Sequence, residues 1–503
     1  MNTIHLDGDS LRIHDVVDIA RGGAKAVLTD GARERMRASR ALVEKFVAEE
    51  RTVYGITTGF GVFSEVSIPR DKVLELQRRL ILSHCAGIGD PFPDDVSRAM
   101  MLLRANALAK GCSGIRVEVV ETLLAMLNAG FAPVIPSQGS VGASGDLAPL
   151  AHLASTLIGE GLVRSGGKAM TGAEALAAIG RKPVVLEAKE GLALINGTQA
   201  ICAMASLALD RAAMLLDVAD LVATMTLDAL LGTDAAFDPR IHAVRPHPGQ
   251  MLVARRMKEL LVGSQMRESH RACARVQDAY SLRCVPQVHG AVRDAVGFAA
   301  GKIAIEINSA TDNPLIFVED ETVVSGGNFH GAPVAMACDV ATLSLVDLAS
   351  ISERRIERLV NPQLSELPPF LVKEGGLNSG FMIAQVTAAA LVSESKALSH
   401  PASVDSIPTS ANKEDHVSMG PIAAWKLGRV VENVAGVLAI EAMAAAQALE
   451  FRRPLRSSPP VESALAAIRS KIATWESDRY LHTDLVAALG LLPELHTFAR
   501  SST

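Results

Sequence analysis

The stretch Ser206–Gly232 reads SLALDRAAMLLDVADLVATMTLDALLG, and its apolar residues recur at the spacing of one broad helical face. Three further stretches of this kind cover roughly Thr342–Val360, Gly380–Ser399 and Met419–Leu449. Apolar residues surround nearly the whole of each predicted helix, which is typical of helices that are buried on all sides. The sequence therefore predicts an all-α fold with a long central helical bundle that is also the core of an oligomer.

The composition limits the class of protein. Of the 503 residues, 49% are hydrophobic and only 4% are aromatic, which suits close-packed helices better than a β-sandwich or barrel. The formal net charge is −6, and acidic and basic residues are interspersed, so the sequence does not indicate a basic surface that binds nucleic acid. The six cysteines lack the spacing of a zinc site or disulfide framework, so we expect free thiols and no metal. Without an apolar leader, and with Gly191–Leu209 too polar to span a membrane, we expect a cytoplasmic protein without membrane contact.

One boundary near residue 200 separates two predicted regions. Residues 1–200 are rich in loops, the glycine-containing stretch Arg51–Ile68 among them, and begin with the strand-like TIHLDG. The helices predicted in this region cover about Asp71–His84, Asp94–Lys110, Gly114–Ala129 and Ala148–Gly159. Residues 201–503 contain the long helices and the C-terminal helices. The interruptions between these helices are where we look for chemistry.

One loop has an unusual composition. Pro136–Leu153 reads PSQGSVGASGDLAPLAHL and concentrates serine and glycine before an apolar helix. Ser144 does not fit the G-x-S-x-G nucleophile of hydrolases, because Gly145 follows it directly. The alternative uses the backbone: the Gly145 nitrogen attacks the Ala143 carbonyl carbon and closes a five-membered ring, and loss of water, also from Ser144, leaves an exocyclic methylene. Glycine suits so tight a turn. The loop therefore predicts an electrophile made from Ala143, Ser144 and Gly145.

Four other residues each have an ordinary structural explanation beside a functional one. Tyr54 and Tyr280 lie in polar or glycine-rich segments, where a tyrosine either anchors a loop or acts as a general base. Arg283 is either a surface charge or a bidentate clamp for a carboxylate. His84, at the end of an apolar helix, is either a core residue or a ligand.

The remaining polar clusters are equally open when each is considered alone. Asn196 stands at the entry of a helix, where it either caps the helix or contacts a ligand. Asn313 lies in a segment that is also typical of an ordinary turn. Glu414 precedes an apolar helix, where acidic residues complement the helix dipole. The glycine-rich SGGNFHGAP lacks the lysine of a phosphate-binding loop.

Together these stretches resemble the aromatic amino acid ammonia-lyases. GSVGASGDLAPLAHL resembles the signature that forms 4-methylideneimidazole-5-one (MIO) from Ala-Ser-Gly, and the other family motifs follow in order as YGITTGFG, LINGTQ, QDAYSLRCVPQ, NSATDNPLI, GGNFHG and EDHVSMG. The resemblance covers about residues 50–420 and implies the all-α fold of the family. It also implies an MIO group formed from Ala143-Ser144-Gly145 with the aid of Asp146, without an external cofactor. It further implies a homotetramer in which three subunits build each active site.

Within the family, Ser83-His84, LNSGFMIAQVTAAAL and Glu414 resemble the histidine branch. This resemblance implies elimination of ammonia from L-histidine to give trans-urocanate. The roles that it implies are Tyr54 on a mobile lid loop as the base for the β-proton, Arg283 and Asn313 as carboxylate ligands, and His84 and Glu414 as imidazole ligands. The family positions around MIO match Asn196, Gln277, Tyr280 and Phe329.

Three residues depart from the histidine branch. Thr57 and Ser395 stand where asparagine is usual, and Lys413 stands where glutamine is usual. If Lys413 faces the pocket, it adds a cation beside Glu414 and either pairs with Glu414 or favours an altered substrate, whereas facing outward it has no effect on the site. The alternative function is therefore an MIO-dependent lyase or 2,3-aminomutase for another aromatic or histidine-like amino acid. A fumarase-like lyase without MIO, or a non-catalytic relative, ranks last because the fumarase-type SSxMPxKxN loop is absent from the sequence.

Overall fold

Helices dominate the chain, as the apolar spacing predicts. The computed structural model describes residues 2–51, 53, 55–56, 58, 72–271 and 276–500, and the structural statements below concern these residues. The chain divides into two compact units, of which unit 1 comprises Met1–Asp210, Ala299–Asp339 and Pro401–Trp425, and unit 2 comprises Arg211–Phe298, Val340–His400 and Lys426–Thr503. The units are thus discontinuous in sequence, whereas the predicted boundary near residue 200 divides the chain only once.

Unit 1 contains all the strands of the described residues, in small sheets. They are β1 (Asn2–Leu6), β2 (Ala24–Leu28), β3 (Ile88–Pro91), β4 (Ala132–Pro133), β5 (Pro136–Gln138), β6 (Leu162–Ser165), β7 (Lys168–Thr171), β8 (Leu315–Phe317) and β9 (Thr322–Val324). β1 pairs in parallel with β2 in the register Asn2↔Ala24 to Leu6↔Leu28. The pairs β3–β5 and β8–β9 and the sheet β4–β6–β7 are antiparallel. The strand-like start of the chain is therefore confirmed.

The helices of unit 1 surround a buried central helix. They are α1 (Ile13–Ala20), α2 (Asp30–Ala48), α3 (Val73–His84), α4 (Asp94–Ala109), α5 (Val117–Asn128), α6 (Leu147–Leu157), α7 (Gly172–Ala178) and α8 (Glu190–Ile195). α4 is buried from Ser97 to Ala109 and packs against α1, α2 and α5. α3, α6 and α8 pack against one another. The predicted helices near 71–84, 94–110, 114–129 and 148–159 are confirmed as α3, α4, α5 and α6.

Four long helices contribute residues to both units. They are α9 (Gln199–Ala229), α14 (Val285–Glu306), α15 (Ala332–Val360) and α18 (Gly420–Glu450). Residues 206–229 of the quoted stretch lie in α9, which begins at Gln199, at the predicted helix entry, and ends three residues before Gly232. The predicted start of α15 at Thr342 is wrong: the helix begins at Ala332, because Pro333 in the first turn needs no hydrogen-bond acceptor for its nitrogen.

Among its described residues, unit 2 consists of helices joined by loops and contains no β-strand. The helices that lie wholly within it are α10 (Pro239–Ala243), α11 (Pro248–Leu260), α12 (Gln265–Ser269), α13 (Tyr280–Arg283), α16 (Pro362–Ser365), α17 (Met382–Leu398), α19 (Pro459–Lys471) and α20 (Leu481–Arg500). α11 packs closely against α14, since a Cβ atom on Gly290 would lie 2.4 Å from the Gln250 nitrogen. Ser395, one of the departures from the histidine branch, is buried in α17 and accepts a hydrogen bond from Asn433 Nδ2 at 3.2 Å.

A buried ion pair joins two helices in unit 2. Glu441 on α18 and Arg355 on α15 are both fully buried, with Arg355 Nε 2.6 Å from Oε1 and Nη2 2.8 Å from Oε2. Glu441 also accepts hydrogen bonds from Thr226 Oγ1 at 2.8 Å and from Ser352 Oγ at 2.5 Å. Both oxygens of the Glu441 carboxylate therefore accept hydrogen bonds, and its charge is paired with Arg355, as a charge buried in a helical core requires.

α15 and α18 are long and apolar enough to cross a membrane by length and composition alone. However, 61% of the apolar window of α15 and 89% of that of α18 are buried within the chain. Buried core helices of soluble proteins pass the same test, so these two helices are weak support for a membrane span.

Candidate active site

The Ala143-Ser144-Gly145 tripeptide lies in the loop between β5 and α6. Ser144 and Gly145 both have left-handed backbones, with φ values of +52° and +80°. Ser140 closes the loop, because its hydroxyl accepts a hydrogen bond from the Gly142 nitrogen at 3.1 Å and donates one to the Gly145 oxygen at 3.3 Å. The serine- and glycine-rich composition thus produces a tight turn of consecutive left-handed residues.

Asn196 and Glu414 hold Ser144 through its carbonyl oxygen and its hydroxyl, respectively. Asn196 Nδ2 donates to the Ser144 carbonyl oxygen at 2.7 Å, and Ser144 Oγ donates to Glu414 Oε1 at 2.7 Å. The other oxygen of Glu414 accepts from Thr409 Oγ1 at 2.9 Å and from Ser410 Oγ at 2.7 Å. Burial raises the pKa of Glu414, but hydrogen bonds from Ser144, Ser410 and Thr409 outweigh it and hold the pKa below its ordinary value.

Asp146 connects this loop to the start of α9. Its Oδ2 accepts hydrogen bonds from the Ala200 nitrogen at 2.7 Å and the Ile201 nitrogen at 3.0 Å, and its own nitrogen donates to the Gly197 oxygen at 2.7 Å. The carboxylate therefore caps the first turn of a helix that is distant in sequence. Burial raises the pKa of Asp146 to about 7, against the opposing effect of the two amide donors.

Arg104 supports the same region and was not among the predicted site residues. It is fully buried in α4, and its Nη1 donates to the Asn196 oxygen at 2.7 Å and to Gln199 Oε1 at 3.0 Å. Burial lowers the pKa of Arg104 to about 10, so the guanidinium stays charged at neutral pH. The one signal that could have found it is an arginine inside an apolar helix, but α4 contains a second buried arginine, Arg98, which weakens that signal.

His84 ends α3 and is half-buried. Its Nδ1 lies 2.8 Å from the Leu80 carbonyl oxygen, which only accepts hydrogen bonds, so Nδ1 carries a hydrogen and Nε2 is left for another partner. The charge of His84 contributes to the low pKa of Glu414. The structure therefore brings His84 into the electrostatic surroundings of Glu414.

Asn313 and Phe329 lie on two connected loops. Asn313 Oδ1 accepts a hydrogen bond from the Gly326 nitrogen at 2.7 Å, which joins the NSATDNPLI loop to the GGNFHG loop. The preceding Asp312 forms a fully buried ion pair with Lys189, with 2.7 Å between Nζ and Oδ2, and also accepts from the Asn313 nitrogen. Phe329 is half-buried in the second loop.

The other predicted site residues belong to unit 2 or lie outside the described part of the chain. Tyr280 and Arg283 form the ends of α13 in unit 2, with Arg283 Cζ 4.6 Å from the centre of the Tyr280 ring. Gln277 precedes them and is exposed. Tyr54, like Thr57, lies outside the described residues.

Lys413 is exposed beside the half-buried Glu414. The hydrogen-bond donors to the Glu414 carboxylate among the described residues are Ser144, Thr409 and Ser410, and Lys413 is not one of them. Of the two alternatives for Lys413, this arrangement favours the one in which it faces outward.

The turn around Gly145 leaves no room for a side chain. A Cβ atom there would lie 2.2 Å from the Gly197 oxygen and 2.7 Å from its carbonyl carbon. We expect Gly145→Ala to lower the free energy of unfolding by at least about 2 kcal/mol, from the left-handed backbone and the overpacking together. Urea unfolding at a fixed protein concentration measures this loss.

The matched control is Gly130→Ala. Gly130 has a similar φ of +83° but nothing within 4 Å of the added Cβ atom. It should lose only the backbone contribution of about 1–2 kcal/mol. Equal losses in the two variants would contradict the close contact between Gly145 and Gly197.

The raised pKa of Asp146 predicts a pH-dependent stability. The pKa of the Asp146 carboxyl is 3.8 ordinarily and about 7 in the folded chain, so between these pH values the folded chain keeps a proton that the unfolded chain has released. The contribution of Asp146 to the free energy of unfolding therefore falls as pH rises from 3.8 to about 7. Asp146→Asn removes the titrating group. With Ser144→Ala present in both chains, the free energy of unfolding of the chain with Asp146→Asn should increase relative to the chain that keeps Asp146. The increase should be up to about 1.4 kcal/mol for each pH unit between 3.8 and about 7. Parallel stability curves would refute the burial of an ionising carboxyl at this position.

Comparison with known proteins identifies the family. The family described as aromatic amino acid lyase matches residues 11–470. The chain belongs to the aromatic amino acid lyase family. The histidine ammonia-lyase of Stigmatella aurantiaca is 55% identical over 99% of this chain and 98% of its own length. That of Myxococcus xanthus (strain DK1622) is 54% identical over 99% of each chain.

Solved structures of family members share the fold. Histidine ammonia-lyase from Trypanosoma cruzi has a TM-score of 0.93 and 46% identity, covering 100% of this chain and 96% of its own. Tyrosine aminomutase from Streptomyces globisporus also has a TM-score of 0.93, with 38% identity and coverage of 99% and 98%. The predicted ammonia-lyase fold is therefore confirmed.

Proposed function

We propose that this protein eliminates ammonia from L-histidine to give trans-urocanate, using an MIO group formed from Ala143-Ser144-Gly145. The observation that carries the proposal is the hydrogen bond from Ser144 to Glu414, in the neighbourhood of His84, in a chain 55% identical to a histidine ammonia-lyase along its length. An acid and a histidine beside the MIO-forming serine suit a substrate whose imidazole needs both a donor and an acceptor.

The residues around the tripeptide fit the MIO group. Consecutive left-handed residues and the absence of space for a side chain at Gly145 favour ring closure over an ordinary loop. Asn196 donates to the Ser144 carbonyl oxygen, an atom that the ring would retain, and its own Oδ1 is buried with no hydrogen-bond partner among the described residues. When formed, MIO supplies an electrophilic carbon that turns the substrate amino group into a better leaving group.

The side chains then bind and orient the substrate. Glu414, whose pKa is held low, is ionised at neutral pH and accepts the imidazole N–H of the substrate. His84 in its doubly protonated form, with Nδ1 on the Leu80 carbonyl oxygen, donates from Nε2 to the other ring nitrogen. The family resemblance adds Arg283 and Asn313 as carboxylate ligands and Tyr54 as the base that removes the β-proton. It also adds Gln277, Tyr280 and Phe329 around the ring.

We further propose a cytoplasmic homotetramer with shared active sites. α17 exposes Met382, Ile383 and Val386, whose apolar side chains suit a helix-to-helix interface between copies. Light scattering should give four times the mass of one chain in solution. A monomeric mass would contradict the shared site.

The test of the activity is the growth of urocanate absorbance when L-histidine is added to the purified protein. Growth with L-histidine, and little with phenylalanine or tyrosine, is the expected result. The second candidate is an aminomutase, which the likeness to tyrosine aminomutase favours. A β-amino acid as the product would replace the first proposal by the second. A protein that has lost the mass of two waters but releases no urocanate would overturn the substrate assignment.

A further inference from the structure

Two carboxylates lie near Ser144, and the structure gives them different tasks. Asp146 Oδ2 is engaged by the first-turn nitrogens of α9, and its other oxygen is buried with no hydrogen-bond partner among the described residues. Glu414 Oε1, by contrast, accepts the hydrogen bond from the Ser144 hydroxyl itself, at 2.7 Å. The hydroxyl that must depart during formation of MIO is therefore in contact with Glu414.

The position of the Glu414 carboxylate is fixed by its second oxygen. Oε2 accepts from two hydroxyl donors, Thr409 Oγ1 and Ser410 Oγ, and this leaves Oε1 directed at Ser144. Glu414 is also only half-buried, so its carboxylate exchanges protons with solvent. A carboxylate held by one oxygen and in contact with a reacting group through the other is the arrangement of a general acid–base residue.

We propose that Glu414 is the catalytic acid–base residue for the dehydration of Ser144, and so acts in making MIO before any substrate binds. This inference rests on the proposed formation of MIO and goes beyond the binding of imidazole. In the step, the Cα–H and Cβ–Oγ bonds of Ser144 break, and the electron pair of the Cα–H bond forms the second Cα–Cβ bond. Glu414 takes the Cα proton and returns a proton to the departing hydroxyl, which leaves as water. The carboxylate is regenerated, and no co-reactant is needed.

The same contact explains how one residue serves twice. While Ser144 keeps its hydroxyl, Oε1 of Glu414 is occupied. Loss of that hydroxyl frees the oxygen, and the freed oxygen faces the place where the methylene has formed. Completing the dehydration therefore also opens the imidazole position.

The experiment is intact-mass spectrometry of purified chains without substrate. Wild type should have lost the mass of two waters. Glu414→Gln, which is of equal size and still accepts from Thr409 and Ser410, should keep at least the water of Ser144, with dehydration slowed by about 100-fold. Glu414→Asp keeps a carboxylate and should dehydrate faster than the glutamine variant. The control Asp415→Asn changes the exposed neighbour and should lose both waters.

Helical circular dichroism identifies any variant that has failed to fold, and the Glu414→Asp variant then decides the matter. Loss of both waters by Glu414→Gln at the wild-type rate would overturn the inference. Equal failure of folded Glu414→Asp and Glu414→Gln would also overturn it, because a carboxylate would then give no advantage. A wild-type chain at its full encoded mass would refute the formation of MIO, which is a separate result.

Discussion

Ser144→Ala should keep its full encoded mass and release urocanate from L-histidine more than about 1,000-fold more slowly than wild type, equivalent to about 4 kcal/mol of barrier. Without the side-chain oxygen, no methylene can form, and the chain's own side chains supply no comparable electrophile. The measurements are intact mass and the initial rate of urocanate formation on the same preparation.

The control for this variant is Ser137→Ala in β5. Ser137 belongs to the same serine-rich stretch but lies outside the tripeptide. It should lose the mass of two waters and keep its activity. Wild-type activity in Ser144→Ala would contradict the central proposal, whatever the mass of the variant.

Arg355→Ala should lower the free energy of unfolding by about 3–5 kcal/mol, because it leaves the Glu441 carboxylate buried without its cation. Both side chains of this pair are fully buried, so solvent cannot replace the lost partner. Chemical unfolding at a fixed protein concentration gives the change, since association of chains also contributes to the apparent stability.

The neighbouring residue provides the matched control. The side chain of Arg354 is 57% exposed and pairs with Glu353. Arg354→Ala should cost less than Arg355→Ala, because solvent reaches the Arg354 guanidinium and Gln385 Nε2 still donates to the buried Glu353 Oε1 at 2.7 Å. Similar losses in both variants would show that the network around Glu441 does not stabilise the bundle.

The fold could be predicted where apolar residues recur at helical spacing without interruption. α3, α4, α5 and α6 follow that pattern, and the structure has them near their predicted positions. α14 was not predicted, because Gly290, Gly297 and Gly301 interrupt its pattern. One of these glycines allows a close approach by α11, and a contact between distant helices cannot be recognised in a local window of sequence.

The site could be predicted only where its chemistry is local. The tripeptide forms its turn from adjacent residues, and Asn196 and Glu414 were found through family motifs. Arg104 was missed because its contacts with Asn196 and Gln199 join segments that are 92 and 95 residues apart in the sequence. Thr409 and Ser410 were missed because they act by donating hydrogen bonds to the Glu414 carboxylate. A hydroxyl side chain in a sequence does not indicate which acceptor it will contact.

The two hydrogen bonds on Ser144 come from residues 52 and 270 positions away in the chain. Both partners arrive only when the chain has assumed its tertiary structure, and one of them, Glu414, contacts the hydroxyl that leaves during dehydration. The water lost from Ser144 is then a covalent record that an individual molecule has folded. A mass spectrum of freshly synthesised chains would count folded molecules one by one, and it would keep that count after the sample had been denatured.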